Sequence, residues 1–211
     1  HVGGTPHYFL GNWGSNVPFM ASREEPLRLY LQDLNKDQRI DPIFSHYAEG
    51  KEYPFFGKDR LVKQVNQLKR NYVEYADFAQ ATVHEVFPSL SKGRGLILEC
   101  ETLESGFLAL SGDWKPLSAL GQSPIQASLK LNDKNLLGVG NFYACQPSIG
   151  QCDAQASWWW STDQGRLEPS QTGLRLQGDF RDVALVRSSK GDQYVLAVQQ
   201  DGPLKAFLVL D

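Results

Sequence analysis

From residue 95 to its end this chain never sustains an apolar run longer than seven residues. The runs are Gly95 to Cys100, Gly106 to Leu110, Ile125 to Leu131, Leu136 to Phe142, Trp158 to Ser161, Val183 to Arg187, Tyr194 to Val198 and Ala206 to Leu210, each bounded by glycine, Asn-Asp or Ser-Ser-Lys-Gly turns. Segments of that length fit strands and are too short for ordinary helices. The N-terminal part repeats the pattern. Tyr8-Phe9-Leu10 runs into a glycine-rich turn, Leu27, Leu29 and Leu31 alternate with period two, and Ile40 to Tyr47 reads as their partner strand. One stretch breaks the rule: Leu61, Val65, Leu68, Tyr72 and Tyr75 recur at helical spacing between Lys58 and Phe87, and Pro88 closes the segment. The expected fold is therefore mainly β, built from antiparallel meanders as a sandwich, barrel or propeller, with an α-helical insertion at about 57–88.

Composition narrows the function classes. With 21 Lys+Arg against 24 Asp+Glu, a net charge of -3 gives no basic face for a phosphate backbone, so nucleic acid is not an expected partner. No stretch approaches the ~20 apolar residues of a membrane span, and the start lacks a charged-then-apolar leader, so the sequence reads as a mature or excised soluble chain. Cys145 and Cys152 bracket a turn-rich loop whose ends could meet, which makes them a candidate disulfide in an oxidising compartment; the alternative is two unpaired buried thiols. Cys100, in an apolar run, reads as an inert core thiol.

Two features carry more specific chemistry. Leu10-Gly11-Asn12-Trp13 recurs in altered form as Val139-Gly140-Asn141-Phe142, a weak internal repeat that favours a propeller over the other β architectures. In Asp33-Leu-Asn35-Lys-Asp37-Gln-Arg39-Ile-Asp41, oxygen side chains stand at positions one, three, five and nine, with the carbonyl of Arg39 at seven. Hard oxygen donors at alternate positions of a tight loop suit Ca²⁺, which takes six to eight oxygens, better than Mg²⁺. Position twelve is Phe44 where an EF-hand needs glutamate, and the flanks are strands, so the spacing points to a strand-loop-strand site.

With these segments in view the chain resembles a known family. Leu10-Gly-Asn-Trp-Gly-Ser-Asn16, Pro26-Leu-Arg-Leu-Tyr30, the Asp33 to Asp41 loop, Asp41-Pro-Ile43 and Tyr53-Pro-Phe55 resemble FG-GAP/VCBS repeat proteins. Asp59-Arg-Leu-Val-Lys-Gln64, Tyr75-Ala76, Ala81-Thr82 and Phe87 are similar to the helical insertion of large bacterial surface proteins that carry these repeats with an ASPIC/UnbV-type region. The likeness extends to Gln122-Ser-Pro124, Gly140-Asn141, Asp153-Ala154 and Gly178-Asp-Phe-Arg181. It implies an integrin-α-like β-propeller of four-stranded blades, with calcium loops between adjacent strands. The implied ligands are Asp33, Asn35, Asp37, Arg39 through its carbonyl, and Asp41. Leu131 to Asn135 is a shortened loop, expected to be a plain hairpin turn. At roughly 40 to 50 residues per blade, residues 1–211 form one module of three to four blades, whereas closed propellers have about 4 to 8. The chain is thus expected to be the C-terminal part of a longer protein, needing the missing blades or a partner chain to cover its edges; the alternative is a self-contained open array stabilised by the helical segment.

Trp158, Trp159 and Trp160 raise a sugar-stacking platform, set against strand packing, in which alternate residues face opposite ways. No Gly-x-Ser-x-Gly, Gly-x-Gly-x-x-Gly or Walker loop occurs. The sequence therefore favours a calcium-stabilised, non-catalytic binding or assembly module located extracellularly, at the cell surface or in the periplasm. Its expected partners are other blades or chains of a larger surface protein. The rival reading is a carbohydrate-binding or polysaccharide-processing protein using Trp158 and Trp160, with a glycan as ligand.

Overall fold

The computed structural model describes residues 7–93, 95–147 and 149–210. The chain divides into two compact units, one made of His1–Pro18 with Leu103–Asp211 and one of Phe19–Thr102. Strand β1 (His7–Leu10) opens the first unit, and the second interrupts it in sequence.

In the 19–102 unit, β2 (Leu27–Gln32), β3 (Asp41–Ala48), β4 (Lys51–Pro54) and β5 (Leu96–Cys100) form an antiparallel sheet in the order β4-β3-β2-β5. The β2–β3 pairing matches the alternation at Leu27, Leu29 and Leu31, with Tyr30 opposite Ile43 and Gln32 opposite Asp41. The β3–β4 hairpin turns through Glu49 and Gly50, both left-handed (φ 50° and 74°), as a two-residue turn that follows strand twist requires. Between β4 and β5 the expected helical segment is present as four pieces: α1 (Lys58–Gln64), α2 (Leu68–Asn71), α3 (Tyr75–Gln80) and α4 (Val83–Val86). An unbroken helix over 30 residues would run about 45 Å, well past strands that reach about 26 Å. The chain instead leaves helical geometry at Val65, Tyr72, Ala81 and Phe87, and three of these bury their side chains. Leu61, Val65 and Leu68 reach the core with Tyr30, Ile43, Phe78, Val83 and Val86 as their periodicity implied, but Tyr75 is exposed. On the other face of the sheet Phe19, Phe44 and Phe55 meet edge to face. The β5 run is an exposed edge, so Cys100 is only half-buried and the core placement expected for it does not hold.

The first unit holds three meanders. β6 (Gly106–Ala109) and β7 (Trp114–Pro116) join β1 in the order β1-β6-β7. β8 (Ile125–Lys130), β9 (Asn135–Gly140), β10 (Trp158–Ser161) and β11 (Gly165–Leu167) form a four-stranded sheet; after the short α5 (Pro169–Thr172) come β12 (Phe180–Arg187), β13 (Gln193–Gln199) and β14 (Lys205–Leu208). Among the described residues all pairings are antiparallel, and no sheet closes into a barrel. The alternating faces of the four-stranded sheet separate two cores. Leu136, Trp158 and Trp160 pack with Phe9, Phe107, Leu117, Leu120 and Ile125, whereas Leu137, Val139 and Trp159 pack with Leu174, Leu176, Phe180, Val183, Val195 and Ala197.

The sequence repeat is a spatial one. A Cβ on Gly11 would stand 2.5 Å from the Ile125 carbonyl oxygen, and one on Gly140 1.9 Å from that of Pro124. Both glycines are there to let two backbones touch the start of β8. The following asparagines then act alike: Asn12 Nδ2 donates to the Glu104 carbonyl (3.4 Å), Asn141 Nδ2 to that of Gly178 (3.1 Å), and the Trp13 and Phe142 rings lie 5.6 Å apart. By this register β1-β6-β7 corresponds to β9-β10-β11.

Candidate functional site

The Asp33–Asp41 loop joins the last residue of β2 to the first of β3. Its backbone is folded onto its own oxygens. Asp33 Oδ1 accepts the N–H of Lys36 (2.6 Å) and Asp37 (3.2 Å), Asp33 Oδ2 that of Gln38 (2.9 Å), Asn35 Oδ1 that of Asp37 (2.9 Å), and Asp37 Oδ1 that of Arg39 (2.9 Å). Lys36 and Gln38 are left-handed, with φ of 65° and 71°, conformations that cost non-glycine residues energy and persist only when the surroundings impose them. Asn35 Nδ2 ties the loop to the Gln64 carbonyl at the end of α1 (3.1 Å) and also reaches Asp37 Oδ2 (3.3 Å). Asp41 is 6% exposed; its Oδ2 accepts the Leu34 N–H (3.0 Å), and it has no ion pair with a cation among the described residues. A buried carboxylate without a cation is costly. Among the described residues no group of three His, Cys, Asp or Glu side chains is arranged to hold a metal. The oxygen set at this loop is mixed, combining the carboxylates of Asp33, Asp37 and Asp41 with the amide of Asn35 and the carbonyl of Arg39. Those donors suit Ca²⁺ chemically. The Leu131–Asn135 segment is a hairpin turn in which Asn132 Oδ1 accepts the N–H of Lys134 and Asn135.

The three tryptophans separate as strand geometry requires. Trp158 is 1% exposed, its indole laid over Gly138, where a Cβ would come within 2.0 Å of Cζ2. It is a core residue and cannot present a face to a ligand. Trp160, on the same side of β10, is half-buried and sits edge-on to Phe107 (centroids 6.3 Å apart). It lines a cleft of about 290 Å³ together with Tyr8, Phe107, Lys130 and Asp133.

The cysteine pair is brought together but not joined. Phe142 and Cys152 form an isolated antiparallel bridge, and the Cys145 and Cys152 sulfurs lie 3.3 Å apart, well beyond the ~2.05 Å of a disulfide. The expected disulfide is therefore replaced by two free thiols in contact. Burial pushes the Cys152 thiol up to about 12, so it stays protonated and unreactive at neutral pH.

One polar constellation escaped the sequence. Glu52 on β4 is 7% exposed; its Oε1 accepts from Tyr30 Oη (2.8 Å) and Ser45 Oγ (2.5 Å), and its Oε2 from Arg28 (2.9 Å). Arg28 also donates to Glu99 (2.7 Å) and Tyr47 (2.8 Å), and His84 Nε2 lies 3.8 Å from Glu52. Burial first, and then the Glu52 carboxylate, raise the Tyr30 phenol above its ordinary range. Ser45 lies on the adjacent strand β3, Arg28 and Tyr30 lie one strand further on β2, and His84 lies on α4; the carboxylate is fully bonded, as a satisfied buried charge must be. Only the strand register, with Arg28 opposite Ser45 and Glu99 and Tyr47 opposite Glu52, reveals it.

Among the described residues no helix is long and apolar enough to cross a membrane. Comparison of the chain with protein-family models, curated proteins and solved structures gave no match.

Proposed function

We propose that this chain is a calcium-stabilised binding or assembly module of β-propeller type, non-catalytic, acting outside the cell, at its surface or in the periplasm, alongside other blades or chains of a larger surface protein. The observation that carries the reading is the Asp33–Asp41 loop. Its oxygens stand at alternate positions, its left-handed residues at Lys36 and Gln38 curl the backbone around them, and it buries Asp41 with no cation paired to it among the described residues. Asp33, Asn35, Asp37, the Arg39 carbonyl and Asp41 would hold the ion, and the ion would supply the charge that offsets three carboxylates. The propeller reading draws on the matched meanders β1-β6-β7 and β9-β10-β11 and on the twice-used glycine-asparagine contact with the start of β8. A role in binding fits a chain whose most organised polar loop ties strands together.

Scanning calorimetry with added calcium against a chelator tests this. At calcium a hundred-fold above its Kd the gain is about 2.7 kcal/mol, a rise of several degrees in melting temperature, with a smaller effect from magnesium and none in Asp33→Ala. An unchanged melting temperature under chelation, or an equal calcium response in Asp33→Ala, would remove calcium from the reading.

A further inference from the structure

We propose that the cleft beside Trp160 binds a neutral pyranose sugar. This site lies wholly within the unit containing β1 and residues 103–210, and it does not rest on the calcium loop. Its apolar wall is aromatic: Trp160 and Phe107 meet edge to face, and Tyr8 stands 60% exposed at the mouth. Exposed aromatic area with a polar tip packs on the C–H face of a sugar ring while the tip stays available for a hydroxyl. The rest of the lining is largely polar, with Ser128, Asn132, Asn135 and Thr162 beside two lysines held in ion pairs. Lys130 pairs with Asp133 (2.7 Å), and Lys134 pairs with Asp163 (2.6 Å). Each lysine of the lining is thus already paired with a carboxylate, Asp163 standing just outside the lining, so neither ammonium is free to hold a phosphate or a sulfate. Each pair does offer a donor beside an acceptor, which is what a vicinal diol requires, because every hydroxyl both donates and accepts. The volume, about 290 Å³, sits at the lower end of ligand cavities. It suits one or two rings and is small for a folded peptide segment. Trp158 contributes from beneath by fixing β10 against β9, not by contact.

The test is an ¹H–¹⁵N titration that follows the Trp160 indole resonance. The ligands are methyl glycosides of glucose, galactose and mannose, the matching β-1,4-linked tetrasaccharides, and glucuronate as an anionic control. The expected result is a saturable shift of Trp160, with Trp158 unmoved, for at least one neutral sugar. Saturation by a methyl glycoside would assign a free or terminal sugar; saturation by a tetrasaccharide alone would assign an internal unit of a polymer. Affinity should fall at least ten-fold in Trp160→Ala and about five-fold in Tyr8→Ala, whose exposed side chain leaves folding undisturbed. No saturable shift with any neutral sugar, tighter binding of glucuronate, or full affinity in Tyr8→Ala together with Trp160→Ala would each overturn the proposal.

Discussion

Tyr30 and Glu52 set out what a single buried charge demands. Glu52 is buried with three donors on it, and the phenol of Tyr30 is one of them. A hydrogen bond to a charged group contributes about 2 kcal/mol, so Tyr30→Phe should lose about that much at neutral pH by urea denaturation. The bond also has a pH signature. The folded-state pKa of Tyr30 is raised above the ordinary value of 10.0, so its stabilisation is fully present below pH 10 and is lost as pH rises towards the folded-state value. The difference between wild type and Tyr30→Phe should therefore shrink on the alkaline side of pH 10 and stay constant from pH 6 to 9; a flat difference across the whole range would show that the phenol is not coupled to Glu52. At this scale the sequence was legible where chemistry is local. Asp33, Asn35, Asp37 and Asp41 declare themselves by spacing within nine residues, and the structure puts them in one loop. Glu52 does not, because its partners Arg28, Tyr30 and Ser45 come from two other strands, and register is not written in either of them.

Elements were read well wherever an apolar run had a clear period and a turn at each end. The runs at Ile125, Leu136, Trp158, Val183, Tyr194 and Ala206 all became strands, to within a few residues. The strands β4, β7 and β11, three or four residues each, carry too few side chains for a period to show. The helical segment was right at Leu61, Val65 and Leu68, wrong at the exposed Tyr75 and wrong in its continuity, since periodicity does not report where the axis bends. Thr82 and Glu85 did hold one of those bends in sequence view: the Thr82 side chain caps the Glu85 N–H, and the Glu85 carboxylate accepts the Thr82 N–H (2.7 Å), a capping box that starts α4 afresh. The glycine-asparagine repeat makes a sharper expectation. Gly140→Ala would drive a methyl group against the Pro124 carbonyl at the end of β9, and should cost about 3 kcal/mol. Gly57→Ala, at a position with open space and ordinary φ, should change stability by less than 1 kcal/mol on the same urea curve. Equal costs at the two sites would mean the close approach at Gly140 does not constrain the sheet.

For the whole molecule, length and turn density gave the β class, but nothing in composition marks where one unit stops and the other begins. The division follows from pairing: β1 finds its partner β6 beyond the whole of Phe19–Thr102, and the chain on either side meets where Gly14 N–H donates to the Leu103 carbonyl (2.8 Å). Replacing residues 19–102 by a Gly-Ser linker of about four residues should therefore leave a remainder that unfolds cooperatively and keeps its strand content by circular dichroism. An unfolded remainder would show that the two units do not fold separately. The same nesting has a consequence in time. Asn12 and Ser105, hydrogen-bonded in the finished protein, are 93 positions apart in sequence, and at about 5 to 20 residues per second the ribosome makes one some 5 to 20 s before the other. Closing a disordered loop of that size costs on the order of 4 kcal/mol. If residues 19–102 fold as they emerge, most of that closure is already made before β6 exists. Until then β1, with Phe9 lacking the Phe107 contact that later covers it, is an apolar strand waiting for an edge, so the order of synthesis sets both the speed of folding and the window for aggregation.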